Sequence, residues 1–246
     1  MKRLLYICCL VIVLPFVGNA QKLRIAVAAN AQFVAGALAK EFKQQTGIEP
    51  ELIVGSSGKF TAQIEQGAPF DVFMSADMKY PEELFTKQLT NAKPQIYAYG
   101  TLILWSNGDT NPTINSLTKV DVKKIAVANP ALAPYGEATI EALIKLKLYD
   151  KLQPKFVFGE SIAQVNQFLL TGAADAAFTA KSVVMDPAQQ SKGSWTEVDS
   201  KLYKPIAQGV VILKASTGEN LKQAQRFYQF LFSAKVKHIF KAYGYR

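Results

Sequence analysis

Short apolar runs alternate with stretches of helical periodicity along most of this chain. Leu23–Ala28 is apolar apart from Arg24 and predicts a buried strand. From Ala31 to Thr46 the apolar positions Phe33, Ala37, Leu38, Ala39 and Phe42 recur at helical spacing, and Gly47 supplies the stop. Glu51–Ser56 predicts a second strand, Lys59–Gln66 a short helix with Phe60 and Ile64 inward, and Asp71–Ser75 a third strand. Pro81-Glu82-Glu83 carries the proline and acidic first turn of a helix start. This strand–helix alternation implies a mostly parallel sheet covered by helices on both faces.

Gln95–Ser106 is a longer apolar run, after which the alternation resumes. Lys124–Ala128, Lys155–Phe158 and Asp175–Thr179 read as strands, with helices at Glu137–Leu146 and Ile162–Leu170. Pro205–Lys214 is a second long β-type run. Asn220–Tyr243 reads as a helix with Leu221, Ala224, Phe227, Leu231 and Phe240 inward. The two long runs bracket the second set, so the chain is expected to leave a first domain near Gly100 and return near Ala207. The first domain is then 21–100 plus 207–246 and the second 101–206. The alternative is one larger α/β domain with these runs as central strands. Ligands of open α/β sheets bind beyond the carboxyl ends of the strands, which places a site in the cleft between two such domains.

The first twenty residues belong to neither domain. Lys2-Arg3, the apolar run Leu4–Val17 and the small residues Gly18-Asn19-Ala20 have the order of a secretory signal peptide, with cleavage expected after Ala20. An uncleaved anchor is the alternative. A cut there removes Cys8 and Cys9 and leaves an exported, periplasmic protein without thiol, disulfide or cysteine metal site. Lys plus Arg number 28 against 19 Asp plus Glu, a net +9 that falls to +7 without Lys2 and Arg3. Such a field raises the local concentration of anions. The lysines are scattered over helix faces with no basic stripe or aromatic platform, which argues against nucleic acid as the partner.

Candidate chemistry concentrates in two polar turns, Ala28-Ala29-Asn30-Ala31 and Gly55-Ser56-Ser57-Gly58-Lys59, each between a predicted strand and a predicted helix. Helix starts leave backbone N–H groups unpaired at the positive end of the dipole, and two of them side by side suit a small oxyanion. The second turn lacks the spacing of a nucleotide phosphate loop; the plain alternative for both is a capped helix start. Asn30 and Ser57 hold equivalent places. Two further turns, Asn129–Glu137 with Tyr135 and Gly159-Glu160-Ser161-Ile162, begin helices of the second set. Asp71 and Asp77 lie six apart on an extended run, about 20 Å, too far for acid–base partnership. Ser56-x-x-Lys59 matches an acyl-transfer nucleophile motif, but Ser216-Thr217-Gly218 follows Ala215 where the companion motif needs Lys. The single histidine, His238, sits among lysines of the last helix and reads as a surface residue, leaving little material for a zinc site or a triad.

Together Val27–Asn30, Gly55–Lys59, Ala62–Phe73, Ser75-Ala76-Asp77, Asn129–Gly136 and Tyr243-Gly244-Tyr245 make the chain resemble the periplasmic molybdate-binding proteins of ABC transporters, over nearly its whole length. The resemblance implies a type II periplasmic-binding-protein fold, two doubly wound α/β domains with the ligand cleft between them. It implies a monomeric binding protein, not an enzyme, that needs no cofactor and delivers molybdate or tungstate to a membrane permease. Carried over by position, the oxyanion contacts are Asn30 with the Ala29 backbone, Ser57, Tyr135 and the backbone of Ile162, with no direct bond to the metal. One branch of the family has Ser in place of Asn30 and a contacting Tyr where Ala180 stands. The branch with Asn and a Pro-Tyr-Gly loop fits better, so Tyr135 is expected to supply that phenol; contacts from Ala180 and Ser56 stay open. Sulfate or phosphate as ligand, a sensor role and a Ser-x-x-Lys enzyme are the competing readings.

Overall fold

The computed structural model describes residues 22–108, 111–189 and 192–246. The expected signal peptide, its expected cut and both cysteines lie outside these residues. In chain order the first part contains β1 (Arg24–Ala28), a 3-10 turn (Ala29–Ala31), α1 (Gln32–Thr46), β2 (Glu51–Gly55), α2 (Ser57–Glu65), β3 (Val72–Met74), α3 (Lys79–Thr86) and β4 (Gln95–Gly100). The middle part contains β5 (Leu102–Ser106), β6 (Ile125–Ala128), α4 (Pro134–Lys145), α5 (Tyr149–Leu152), β7 (Phe156–Gly159), α6 (Ile162–Leu170), β8 (Ala176–Ala180), α7 (Lys181–Val184) and β9 (Ser194–Glu197). β10 (Ile206–Ile212), α8 (Gly218–Leu231) and α9 (Ala234–Ala242) complete the chain.

Two mixed five-stranded sheets result, ordered β2-β1-β3-β10-β4 and β7-β6-β8-β5-β9. β1 runs parallel to β2 and β3, and β6 parallel to β7 and β8. β10 and β5 are antiparallel to both of their neighbours. The apolar run Gln95–Ser106 is therefore two strands in different sheets, divided at Thr101, whose carbonyl accepts the Lys181 amide at 2.9 Å. The chain re-enters the first sheet as β10. The first sheet carries apolar side chains on both faces. Leu23, Ile25 and Val27 pack with Phe42, Phe227 and Phe240 on one side, and Phe73 packs with Phe60, Phe70 and Leu84 on the other. The second core, around Trp105 and Phe178, reaches across to Ala28, Ala29 and Ala76 of the first domain.

Several boundaries differ from the sequence expectation for identifiable reasons. α2 begins at Ser57 because the Ser56 side chain caps it, accepting the Lys59 amide at 3.4 Å. α4 begins at Pro134, whose fixed φ suits the first helical position. α3 begins at Lys79, so Pro81 occupies the first turn, where its missing N–H costs nothing. The predicted helix Asn220–Tyr243 is two helices. Ser233 breaks it by capping α9, its side chain accepting the Val236 amide. β9 is a polar edge strand that apolar patterning does not mark.

Candidate ligand-binding site

Both polar turns sit at the carboxyl ends of neighbouring strands, β1 and β2. In the first, Ala29 and Asn30 occupy the start of a 3-10 turn that leads into α1. Ala28 offers no capping side chain, so the turn's first amides are not used by a cap. In the second, the Gly58 amide is spent on Leu132 O of the second domain at 3.0 Å and the Lys59 amide on Ser56 Oγ. The Ser57 amide is not used by the turn itself. Ser57 Oγ accepts the Ala76 amide at 3.0 Å, and the hydroxyl proton finds no acceptor among the described residues.

The second domain presents two helix starts toward these turns. Ile162 opens α6, which packs against the Ala29–Ala31 turn; Ser161 caps that helix by accepting the Gln164 amide. Tyr135 lies in the first turn of α4 and is fully buried. Ala29, Ala76, Tyr135 and Ile162 belong to one contiguous buried cluster, which Ser57 reaches through Ala76. All five expected site residues are at most 4 % exposed. Ala180 is buried at the carboxyl end of β8 and carries no polar side-chain atom.

A polar network joins the turns to the tyrosines. Asn30 Nδ2 donates to Gln208 Oε1 at 3.0 Å and to Tyr245 Oη at 3.3 Å. Tyr97 Oη donates to Gln208 Oε1 at 2.6 Å, and Gln208 Nε2 donates to Tyr135 Oη at 3.2 Å. The Asn30 carbonyl accepts from Ser182 Oγ and Tyr245 Oη, whereas Asn30 Oδ1 is buried with no partner among the described residues. Burial pushes the phenols of Tyr97 and Tyr135 well above their usual pKa and that of Tyr245 up to about 12. All three are protonated near neutrality. Sequence reasoning assigned no role to Gln208, Tyr97, Ser182 or Tyr245. The available signal was Gln208-Gly209 interrupting the apolar strand Ile206–Ile212, a pattern that marks a bulge or a close backbone approach.

The remaining candidates resolve into structural roles. Ser56 Oγ is a helix cap and Lys59 Nζ pairs with Glu160, so the Ser-x-x-Lys pair has no free base beside the hydroxyl. Asp71 is buried, accepting the Arg24 amide and Ser216 Oγ, each at 2.8 Å. Asp77 lies on the rim of a cavity of about 280 Å³ shared with Lys79, Pro134 and Glu137. Burial raises its carboxyl to about 6, Glu137 adds to the rise, and hydrogen bonds from the Tyr80 amide and Ser75 oppose it. His238 is exposed. Among the described residues no cluster of His, Cys, Asp and Glu could hold a metal ion.

Lys59–Glu160, Lys79–Glu137 at 3.0 Å, Tyr80 Oη to Ala131 O at 3.2 Å and the Gly58–Leu132 bond all cross between the domains. The cleft is closed over the site.

Known proteins of similar sequence and fold cover nearly all of the described chain. The model of a family described as bacterial extracellular solute-binding protein matches residues 23–246. The molybdate-binding protein ModA of Azotobacter vinelandii is 38% identical over 231 residues, covering 93% of this chain and 91% of the relative. ModA of Rhodobacter capsulatus is 38% identical over 222 residues, covering 89% and 86%. The solved structure of the A. vinelandii periplasmic molybdate-binding protein superposes with a TM-score of 0.85 at 36% identity, covering 92% of this chain and 99% of that one.

Proposed function

The chain belongs to the bacterial extracellular solute-binding proteins, and on that premise we propose that it captures molybdate, and tungstate, outside the cytoplasm for delivery to an ABC-type membrane permease. The observation that carries this reading is the donor set. Asn30 and Ser57, at two helix starts of the first domain, and Tyr135 and Ile162, at two of the second, are all buried, and no Lys or Arg is among the buried described residues. The A. vinelandii and R. capsulatus relatives, both named as molybdate-binding, support the choice of anion.

In this reading the Ala29, Asn30 and Ile162 backbones, the Ser57 and Tyr135 hydroxyls and the positive ends of the helices hold the dianion. Hydrogen bonds to a charged group are each worth about 1.5–3 kcal/mol. A handful of them can offset the desolvation of an ion that a lone buried charge could not bear. A smaller anion such as sulfate leaves some donors unmet, at roughly 1–3 kcal/mol each. Size discrimination therefore follows from a rigid, closed cage. The domain seam supplies the signal of occupancy, because the ligand bridges groups from both sides.

Titration calorimetry with molybdate, tungstate, sulfate and phosphate tests the proposal. Tight binding of the first two and weak or no binding of the others is expected. A preference for sulfate or phosphate would move the chain to another oxyanion, and heat from none of the four would overturn the reading.

A further inference from the structure

Gln208 is completely buried in the strand that carries the chain back from the second domain. The register of β10 against β4 shifts between Gln208 and Gly209. A bulge at this place re-aims the side chain that precedes it. Glycine is required next to it, since a Cβ on Gly209 would lie 2.7 Å from Met78 Sδ and 3.0 Å from Asp77 O. The glutamine thus leaves the sheet toward the seam, where two donors of the first domain converge on Oε1. Tyr97 Oη lies 2.6 Å away and Asn30 Nδ2 3.0 Å away. With its carbonyl fixed, the amide turns its NH2 toward Tyr135 Oη, 3.2 Å distant and part of the second domain, with the Tyr245 phenol also within its reach. Gly100 makes room for that contact, because a Cβ there would lie 2.1 Å from Tyr135 Oη and 2.6 Å from Gln208 Nε2.

A phenol has one proton and accepts through its lone pairs. Here the acceptor side of Tyr135 is occupied by Gln208, and its proton meets no acceptor among the described residues. Ser57 is arranged in the same way, accepting the Ala76 amide and keeping its own proton. Asn30 differs. Its NH2 is spent on Gln208 and Tyr245, and turning it over would set Asn30 Oδ1 against Gln208 Oε1. We infer that Gln208 is a positioning residue for oxyanion capture: it fixes the polarity of Tyr135 so that the phenol offers its proton, not a lone pair, to the ligand. Because the bond joins the two domains, it is made only on closure, so the donor is set as the cleft shuts. The side chain of Asn30 anchors Gln208, and Asn30 serves the anion through its backbone amide. This inference rests on the molybdate reading above.

The test is a double-mutant cycle with sodium molybdate, read by calorimetry on the wild type, Gln208→Met, Tyr135→Phe and the double variant. Gln208→Met is expected to weaken binding about tenfold, the loss of one oriented donor. In the Tyr135→Phe background the same change should cost less than about threefold, since Gln208 then has no phenol to orient. Equal losses in both backgrounds, or wild-type affinity in Gln208→Met, would overturn the role. No binding by the wild type would instead overturn the ligand assignment. Should Gln208→Met fail to fold, the side-chain amide resonances of Gln208 decide the matter without it. They are expected to shift on molybdate addition in the wild type and to stay in place in Tyr135→Phe. Resonances unmoved in a wild type that binds molybdate overturn the inference.

Discussion

At the residue scale the site depends on where single protons are committed. Ser57 Oγ takes the Ala76 amide and so keeps its own proton to donate. In the proposed site, Ser57→Ala removes a bond to the charged ligand, and it strands the buried Ala76 amide. We expect molybdate affinity to drop by about 1–3 kcal/mol in calorimetry, with a smaller fall in melting temperature. Asp77 makes the opposite case. Its carboxyl has a pKa of about 6 because burial and Glu137 disfavour the charge more than Ser75 and the Tyr80 amide favour it. An unfolded aspartate titrates near 3.9, so the folded form holds its proton more tightly. The stabilisation is full below about 4 and is lost as the pH rises through 6. Asp77→Asn keeps an acceptor for the Tyr80 amide and removes the buried charge. After allowance for solvent screening it should add about 1 kcal/mol at pH 8, roughly 2–4 °C in melting temperature, and nothing at pH 4. An equal gain at both pH values would show that charge is not the cause.

At the element scale, helix starts were the legible part of the site. Small and polar residues after apolar strands marked the turns that lead into α1, α2, α4 and α6, because a helix start is set by a few adjacent residues, a serine cap at α2 and α6 and Pro134 at α4. The Gln208 network was not legible, since its partners lie on a turn, a strand and a helix far apart in the chain that only the tertiary fold brings together. Ser233 likewise looks like any polar residue of a helix face until its side chain is seen to cap α9. α2 also carries the domain seam. A Cβ on Gly58 would lie 2.9 Å from Tyr80 Oη and 3.1 Å from Leu132 Cα, against backbone that the second domain cannot withdraw independently. Gly58→Ala should hold the cleft slightly open and weaken molybdate binding about tenfold. The ligand-free melting temperature should hold or rise, because alanine favours the helix by up to about 1 kcal/mol. Calorimetry beside thermal unfolding separates the two effects, and affinity unchanged in this variant would mean the seam need not close so tightly. The ion pairs Lys59–Glu160 and Lys79–Glu137 are solvent-exposed, so neither is expected to contribute more than about 1 kcal/mol to closure.

For the whole molecule, two sheets with the chain crossing between them give a fold in which the proposed site draws residues from both halves. The strand–helix alternation made the α/β class readable. The antiparallel strands β5, β9 and β10 were not readable as such, because strand direction follows from tertiary pairing and leaves no local pattern. Charge is distributed unlike the site. The chain is +9 overall, yet its buried described residues include no Lys or Arg. Long-range attraction and short-range holding are therefore assigned to different atoms, and salt should separate them. Raising ionic strength from about 0.01 M to about 1 M shrinks the Debye length from about 30 Å to about 3 Å and screens the surface lysines, while bonds inside a closed, buried cage feel little of it. Stopped-flow measurements across that range should show the association rate of molybdate falling several-fold. The dissociation rate should change by less than about twofold, as expected where rim charge governs encounter and buried bonds govern release. A dissociation rate that rises with salt as steeply as association falls would place a surface cation at the anion itself, and would contradict a cage of neutral donors.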